Sequence, residues 1–162
     1  MGNRLAVTIR PYDPARDARA WRACLIEQQD FHRALEPHWP PGHAIIDDYQ
    51  RHLLDLCARL DGGVLLAEHD GVVVGFACVF TNASTDSPDD PSPFAFLAEI
   101  YVKAPSRGQG VGTALMAEAE AFVRARGAKE LRLAVLERNG DARAVYRARG
   151  FRDYSRTLIK PL

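Results

Sequence analysis

The spacing of hydrophobic residues changes several times along the chain, and each change predicts a change of secondary structure. Two apolar runs on either side of Asp70-Gly71 predict a β-hairpin, because Asp-Gly favours a tight two-residue turn. Alternating or wholly apolar runs predict strands at 5–10, 64–68, 72–80, 94–102, 131–136 and 151–159, the last as one strand or a pair. Hydrophobic residues three or four positions apart predict helices after Asp13 and over 46–60, 111–122 and 141–149.

Capping and turn residues predict where these elements end. Asp13-Pro14 predicts a helix start, because Asp accepts hydrogen bonds from free N–H groups and Pro fits the first helical position. The segment 31–42 contains three prolines and is predicted to be irregular, and the Ser-, Asp- and Pro-rich segment 82–93 is predicted to be an exposed loop. Glycines are expected to end the other three helices, at Gly62 or Gly63, Gly127 and Gly150.

The order of these elements is β-α-α-β-β-β-α-β-α-β. Hairpin-linked strands come first and strand–helix–strand units come later, which predicts an α/β fold with a mixed sheet and helices on both faces. The chain has 162 residues, of which 47% are hydrophobic, and no linker divides it. We therefore expect residues 1–162 to form a single domain.

The distribution of charge bears on possible partners. The net charge is zero, which argues against bulk binding of nucleic acid. Residues 61–99 include seven acidic and no basic residues, whereas residues 124–156 include ten basic and four acidic ones. This distribution suits an anionic ligand on one side and a cationic ligand on the other, unless folding mixes the two segments.

Cysteine spacing and hydropathy predict the compartment. Cys24, Cys57 and Cys78 are odd in number and lack metal-ligand spacing, so the sequence predicts no metal site and a reducing environment. No apolar run approaches the roughly 20 residues that cross a bilayer, and no cleavage site indicates a signal peptide. We therefore expect a cytoplasmic protein with no membrane partner.

A glycine-rich stretch precedes the third predicted helix. Gly108, Gly110 and Gly112 leave backbone N–H groups unshielded where a helix has unpaired donors and a positive dipole end. A pyrophosphate is the expected ligand, and Arg107 could add a charged contact. The alternative is a turn needed only for chain reversal. The stretch is not a P-loop, which requires Gly-Lys-Ser/Thr, and Thr113 stands where the dinucleotide fingerprint requires Gly.

Two motifs resemble those of the GCN5-related N-acetyltransferase family. The first, Arg-x-x-Gly-x-Gly, covers residues 107–112 and follows a predicted strand that ends in Tyr-Val. The second, Asn-x-x-Ala-x-x-x-Tyr-x-x-x-Gly-Phe, covers residues 139–151. The resemblance extends over 5–159 and is most specific over 94–151. It implies a mixed, mostly antiparallel sheet of six to seven strands, with a homodimer as an open possibility.

The resemblance also implies which residues bind acetyl-CoA, the expected cosubstrate. Main-chain groups of residues 100–102 would pair with the pantetheine arm, backbone N–H groups of 108–113 would bind the pyrophosphate, and Asn139 would contact the pantetheine. A plain Asn-Gly turn is the alternative for Asn139. The full implied set is Ile100, Tyr101, Val102, Arg107, Gly108, Gln109, Gly110, Val111, Gly112, Thr113, Asn139 and Tyr146.

Acetyl transfer to an amine needs a base, because a free alkylamine has a pKa of about 10.4. Glu99 is the one charged residue in the predicted strand 94–102, and strict alternation places it on the same side as Ala95, Leu97 and Tyr101. It is a candidate base or water relay. Alternatively, it lies at a solvated rim and only attracts a cationic amine.

The leaving thiolate of CoA benefits from an acid. By resemblance Tyr146 supplies that proton, and the alternative is a core tyrosine whose hydroxyl is satisfied elsewhere. The acceptor is expected to be an amine on a small molecule or peptide. His32 and His38 could be ligands or bases, and the Asp-rich loop at 86–90 could attract a polyamine, an aminoglycoside or a lysine side chain. Exposed loop residues with no such role are the alternative for both patterns. An acyltransferase for a longer acyl-CoA and a non-catalytic CoA-binding sensor remain alternatives.

Overall fold

The computed structural model describes residues 4–162, which contain one five-stranded sheet with helices on both faces. The strands lie in chain order, with β1 to β4 antiparallel and β5 parallel to β4. The predicted fold class is confirmed, although five strands replace the expected six to seven. The elements are β1 (Thr8–Pro11), α1 (Pro14–Leu35), α2 (Gly42–Arg59), β2 (Gly63–His69), β3 (Val72–Ala83), β4 (Phe94–Val102), a 3₁₀ turn (Ala104–Ser106), α3 (Val111–Ala125), β5 (Leu131–Leu133) and α4 (Gly140–Ala148).

Two hydrophobic cores lie on opposite faces of the sheet. One core joins the sheet to α1 and α2 through residues such as Trp21, Leu25 and Phe76. The other joins the sheet to α3 through residues such as Leu115 and Met116. Full burial of a side chain such as leucine or phenylalanine stabilises the fold by about 1.5–3 kcal/mol, so both layers of helices are firmly attached to the sheet.

The predicted hairpin is present, and its turn has the expected geometry. Strands β2 and β3 pair across Asp70 and Gly71, which have φ angles of 47° and 76°. Positive φ at both central residues matches the twist of the flanking strands. The predicted cap at Asp13 is also confirmed, because its side chain accepts a hydrogen bond from the Ala15 N–H at 3.0 Å.

The ends of α1 and α2 differ from the prediction. Helix α1 continues to Leu35, into the segment predicted to be irregular, because the first proline there is Pro37. Helix α2 is followed by Asp61 at a φ of 49°, so an aspartate takes the left-handed position expected of a glycine. Gly62 is required for space instead, since a Cβ there would lie 2.6 Å from the Val79 carbonyl oxygen.

A β-bulge in β4 changes which residues face which helices. Two adjacent residues of β3 pair with Leu97 and Glu99, so Ala98 is the extra residue between them. Leu97 packs against the α3 side before the bulge, and Ile100 does so after it. The expected alternation, which put Glu99 on the same side as Leu97, is therefore wrong. Glu99 faces α1 and α2, where it accepts hydrogen bonds from both helices.

The same bulge limits β5, which ends at Leu133 rather than at residue 136 as predicted. The last pair between the parallel strands is Leu97 with Leu133, and the bulge begins at the next residue of β4. Beyond this point the segment Ala98–Val102 has no strand partner on the β5 side among residues 4–162. The sheet therefore opens between the two strands.

The predicted final strand at 151–159 is absent. A strand needs a neighbouring ladder for its N–H and C=O groups, and β5, the edge strand of the sheet, offers only three residues. Instead, the Tyr154 hydroxyl donates a hydrogen bond to Asp90 at 3.1 Å, and Arg132 lies 4.6 Å from the Tyr154 ring centroid. Leu158 is 86% exposed. Side-chain contacts with Asp90 of the loop after β3 and with Arg132 of β5 therefore hold the segment in place of a backbone ladder.

Folding brings the acidic and basic segments into contact. Arg132 donates two hydrogen bonds to Asp90, at 2.7 and 2.9 Å, and Arg126 lies 3.4 Å from Asp61. The charge asymmetry of the sequence is thus partly neutralised by direct pairing. Within the described residues, no helix is both long and apolar enough to cross a membrane, and no group of three His, Cys, Asp or Glu side chains could hold a metal ion.

Candidate active site

The glycine loop, defined as residues 107–112, joins the 3₁₀ turn to α3. Gly108 and Gly110 have φ angles of 71° and 86°, a region that residues with a Cβ seldom adopt. Gly110 is the N-cap of α3 and makes no side-chain cap, and the first turn contains no acidic residue. The first N–H groups of α3 are therefore available to an anion. A Cβ added at Gly108 would meet nothing within 4 Å, so the space above the loop is open.

Arg107 lies beside β4 in this structure. Its Nε donates a hydrogen bond to the Val102 carbonyl oxygen at 2.8 Å. Its guanidinium carbon is 5.3 Å from the ring centroid of Tyr101 and 5.1 Å from that of Phe31. The cation therefore stacks on aromatic rings next to the opening of the sheet, and its predicted contact with phosphate stays a prediction.

The backbone of β4 beyond the bulge is available to a ligand on its open side. The Ile100 carbonyl oxygen accepts a hydrogen bond from Gln28 Nε2 at 3.3 Å, and the Val102 carbonyl oxygen accepts the bond from Arg107. Side chains thus take the place of a neighbouring strand. An amide-containing arm could pair with the same groups, which is the geometry that the expected pantetheine contact requires.

Glu99 is held by two helices. Gln28 on α1 donates a hydrogen bond from Nε2 to Glu99 Oε2 at 2.7 Å. The hydroxyl of Tyr49 on α2 donates a short hydrogen bond to Glu99 Oε1. Gln28 is itself 96% buried, since only 4% of its surface is exposed. Both carboxylate oxygens therefore have a fixed donor, and the side chain is held in one orientation.

The surroundings of Glu99 favour proton exchange near neutrality. Burial raises the pKa of Glu99 to about 7, although the hydrogen bonds from Tyr49 and Gln28 act in the opposite direction. Burial and the adjacent Glu99 charge raise the pKa of Tyr49, so Tyr49 stays protonated and continues to donate. A carboxyl group with a pKa near the working pH is well suited to accept a proton.

Tyr146 lies on α4, on the α3 side of the sheet, whereas Glu99 faces α1 and α2. Its ring packs edge-on against Phe151, with 5.8 Å between ring centroids, and against the core on the α3 side. Burial and then the charge of Glu99 raise the pKa of Tyr146, so its hydroxyl stays protonated at neutral pH. The structure thus brings Tyr146 into the electrostatic range of Glu99.

Asn139 has a structural contact in the free protein. Its Oδ1 accepts a hydrogen bond from the Ala142 N–H at 3.2 Å, which caps α4. The candidate histidines, His32 and His38, have other neighbours than Glu99, Gln28 and Tyr49. His32 packs against Trp39, with 5.8 Å between ring centroids, and burial lowers the pKa of His32. His38 lies 3.5 Å from Glu36.

The sequence did not predict the two residues that hydrogen-bond Glu99. Gln28 and Tyr49 lie within helical patterns of the sequence, and nothing in the adjacent residues distinguishes them from other helical residues. They meet Glu99 across 71 and 50 positions of sequence. Gln28 lies at helical spacing with Trp21 and Leu25, on the face expected to be buried. A polar side chain there needs a hydrogen-bond partner, and this need is the one indication that the sequence offers.

Known proteins resemble this chain in sequence and fold. The model of the Acetyltransferase (GNAT) family matches residues 26–151. An aminoglycoside N(6')-acetyltransferase type 1 of Stenotrophomonas maltophilia is 34% identical over 154 residues, covering 94% of this chain and 91% of that relative. A mycothiol acetyltransferase of Thermobispora bispora is 31% identical over 148 residues, covering 90% of this chain and 46% of that relative.

The fold is also similar to that of a solved structure, the aminoglycoside N-acetyltransferase AAC(6')-Iy in complex with CoA. The TM-score is 0.69 with 22% sequence identity, and the match covers 96% of this chain and 98% of that chain. The chain belongs to the acetyltransferase (GNAT) family. It is an acetyl-CoA-dependent acetyltransferase that acts on an amine, with acetyl-CoA as its cosubstrate.

Proposed function

We propose that this chain transfers the acetyl group of acetyl-CoA directly to a primary amine in a ternary complex, with Glu99 as base or water relay and Tyr146 as acid. The observation that supports this most is the position of Glu99. Its carboxylate is fixed by Gln28 and Tyr49 at the opening of the sheet, and its charge acts on Tyr146 from the opposite face.

The placement of acetyl-CoA follows from the open backbone groups. The pyrophosphate binds the N–H groups of residues 108–113, where the dipole of α3 is positive. The pantetheine arm pairs with Ile100 and Val102, and Asn139 contacts the same arm with the amide nitrogen that its capping bond leaves free. Bound in this way, acetyl-CoA supplies an activated thioester at the opening between β4 and β5.

Glu99 acts on the amine. An alkylammonium ion with a pKa of about 10.4 must lose a proton before its nitrogen can attack a carbonyl carbon. Above about pH 7 the Glu99 carboxyl is ionised and accepts that proton, directly or through one water molecule. Its negative charge also attracts the cationic acceptor. Attraction of the amine and removal of its proton are therefore compatible roles for the same carboxylate.

Tyr146 acts on the leaving group. When the tetrahedral intermediate collapses, the C–S bond breaks and the electron pair goes to sulfur. The Tyr146 hydroxyl, kept protonated by burial and by Glu99, donates its proton to that sulfur, which leaves as the free thiol. The phenolate then regains a proton from solvent or from the proton released by the amine.

The acceptor that we propose is a small polycationic molecule, of which an aminoglycoside with a 6′-amine is the first choice. The relative from Stenotrophomonas maltophilia, whose match covers 94% of this chain and 91% of that relative, is named for this acceptor. A carboxylate facing α1 and α2 suits a substrate with several ammonium groups, since it lowers the energy of a cation in a low-dielectric site. A 6′-amine also meets the chemical requirement for a primary, unhindered nitrogen.

Thiol release measured with a matched pair of aminoglycosides tests this proposal. One compound has an amine at the 6′ position and its partner has a hydroxyl there. We expect turnover with the first only, and a product mass increased by one acetyl group. Faster turnover with propionyl-CoA would favour the longer-acyl alternative. Tight acetyl-CoA binding without turnover on a broad amine panel would favour the sensor and overturn the proposal.

A further inference from the structure

The N-terminal segment that precedes β1 lies against the glycine loop. The Leu5 N–H donates a hydrogen bond to the Gln109 carbonyl oxygen at 3.0 Å. A Cβ added at Gly110 would lie 3.3 Å from Arg4 Cγ and 3.4 Å from Arg4 Nε. The Arg4 side chain therefore passes over the left-handed residue that begins α3.

Arg4 is a cation without a negative partner at this position. No acidic side chain lies within 4.0 Å of it among residues 4–162, and the first turn of α3 contains no acid. A positive charge near a helix N-terminus is unfavourable, because the helix dipole is positive there. An anion bound at the loop removes that repulsion and gains a charge-assisted contact.

Arg107, the other arginine of this region, is already engaged. Its Nε donates to the Val102 carbonyl oxygen, and its guanidinium stacks on two aromatic rings. Arg4 is thus the guanidinium that the free protein leaves available at the loop. The hydrogen bond from Leu5 fixes the neighbouring backbone, so less conformational freedom is lost when the side chain binds.

We propose that the Arg4 guanidinium binds a phosphate group of acetyl-CoA beside the backbone N–H groups of the glycine loop. The proposal rests on the placement of the pyrophosphate at this loop. Acetyl-CoA offers two candidate groups, the diphosphate and the 3′-phosphate, and both present oxygen atoms that a guanidinium can contact in a bidentate manner. Arg4 lies outside the family motif at 107–112, so the proposed contact is additional to those that the motif implies.

Binding calorimetry with three thioesters tests the loop and Arg4 separately. The ligands are acetyl-CoA, its analogue without the 3′-phosphate, and acetyl-pantetheine, which has no phosphate. If the loop binds the pyrophosphate, the wild-type protein binds acetyl-pantetheine far more weakly than acetyl-CoA. Equal affinity for these two ligands would remove the loop placement, and the role of Arg4 with it.

The variant Arg4→Gln then tests the side chain. We expect its Kd for acetyl-CoA to rise about 2- to 5-fold, as an exposed charged contact predicts, and its Kd for acetyl-pantetheine to stay the same. The loss should shrink in high salt and be partly restored by Arg4→Lys. Arg124→Gln, which removes an exposed arginine from the other end of α3, is the matched control.

The analogue without the 3′-phosphate identifies the group that is bound. If Arg4→Gln still weakens its binding, Arg4 contacts the diphosphate, and if the loss disappears, Arg4 contacts the 3′-phosphate. An Arg4→Gln protein with the wild-type affinity for acetyl-CoA, while the wild type still discriminates against acetyl-pantetheine, would overturn the Arg4 proposal and leave the loop placement intact. An equal loss with acetyl-pantetheine would also overturn it.

Discussion

The two faces of the sheet present their candidate binding groups from different parts of the chain. On the α3 side, glycine N–H groups and the unpaired edge of β4 are backbone features, encoded within about twenty consecutive residues. On the α1 and α2 side, Glu99 depends on Gln28 and Tyr49, which are far away in sequence. The proposed acetyl-CoA site is thus encoded by a local motif, whereas the proposed acceptor site depends on side chains that only the fold brings together.

Glu99→Gln should have the largest effect and should separate the two faces. We expect kcat/KM to fall about 1,000-fold, within the range of general base catalysis. The Kd for acetyl-CoA should be almost unchanged, because the backbone that binds it is intact. Steady-state kinetics and calorimetry measure the two values, with Glu118→Gln on the exposed face of α3 as control. A large loss of acetyl-CoA affinity would contradict the separation of the two faces.

Tyr146→Phe should have the next largest effect. The variant keeps the ring that packs against Phe151 but has no proton to donate to the thiolate. We expect kcat to fall about 100-fold with KM for the amine little changed. Single-turnover measurement of thiol release checks this. An unchanged kcat would return Tyr146 to the role of a core residue.

Ionisation of Glu99 should lower the free energy of unfolding of the protein. The folded pKa of about 7 exceeds the ordinary value of 4.5, so between these pH values the folded state holds a proton that the unfolded state has lost. Stability contributed by protonated Glu99 is therefore complete below about pH 4.5 and is lost as the pH rises through 7.

Glu99→Gln removes that titration. We expect the inactive variant to exceed the wild type in free energy of unfolding by about 1–3 kcal/mol at alkaline pH and to lose this advantage in acid. Urea denaturation at several pH values measures the difference. A constant difference between the two proteins at all pH values would show that Glu99 is not strongly buried.

Tyr49→Phe should have the smallest effect, visible in the pH profile. The activity of the wild type should rise with pH through about 7, as Glu99 ionises. Because the Tyr49 hydrogen bond lowers the pKa of Glu99, its loss should move this limb to higher pH while leaving the activity at high pH less affected. Tyr12→Phe, in the core beside Trp21, is the control and should not move the limb.

The sequence predicted local features well, because their causes are local. The Asp13 cap, the Asp70-Gly71 hairpin and the glycine loop each depend on the φ angles and hydrogen-bonding groups of a few adjacent residues. The extent of α1 also follows local rules, but the nearest proline, rather than the general composition of the segment, determines where it ends.

Features that depend on pairing between distant segments could not be predicted in this way. The bulge at Ala98 is visible only in the register of β4 against β3, so periodicity alone assigned Glu99 to the wrong face. The segment 151–159 has the composition of a strand, but whether it forms one depends on the length of its neighbour β5. The partners of Glu99 were unpredictable for the same reason.

The extra residue at Ala98 also affects how proteins of this kind can diverge. Leu97 and Glu99, which flank it, face opposite sides of the sheet, and no point substitution can return them to one side, since only an insertion or deletion changes which face of a strand a residue occupies. With the acceptor on the α1 and α2 side as proposed, substitutions in those helices can alter acceptor preference without changing the backbone groups that we propose bind acetyl-CoA.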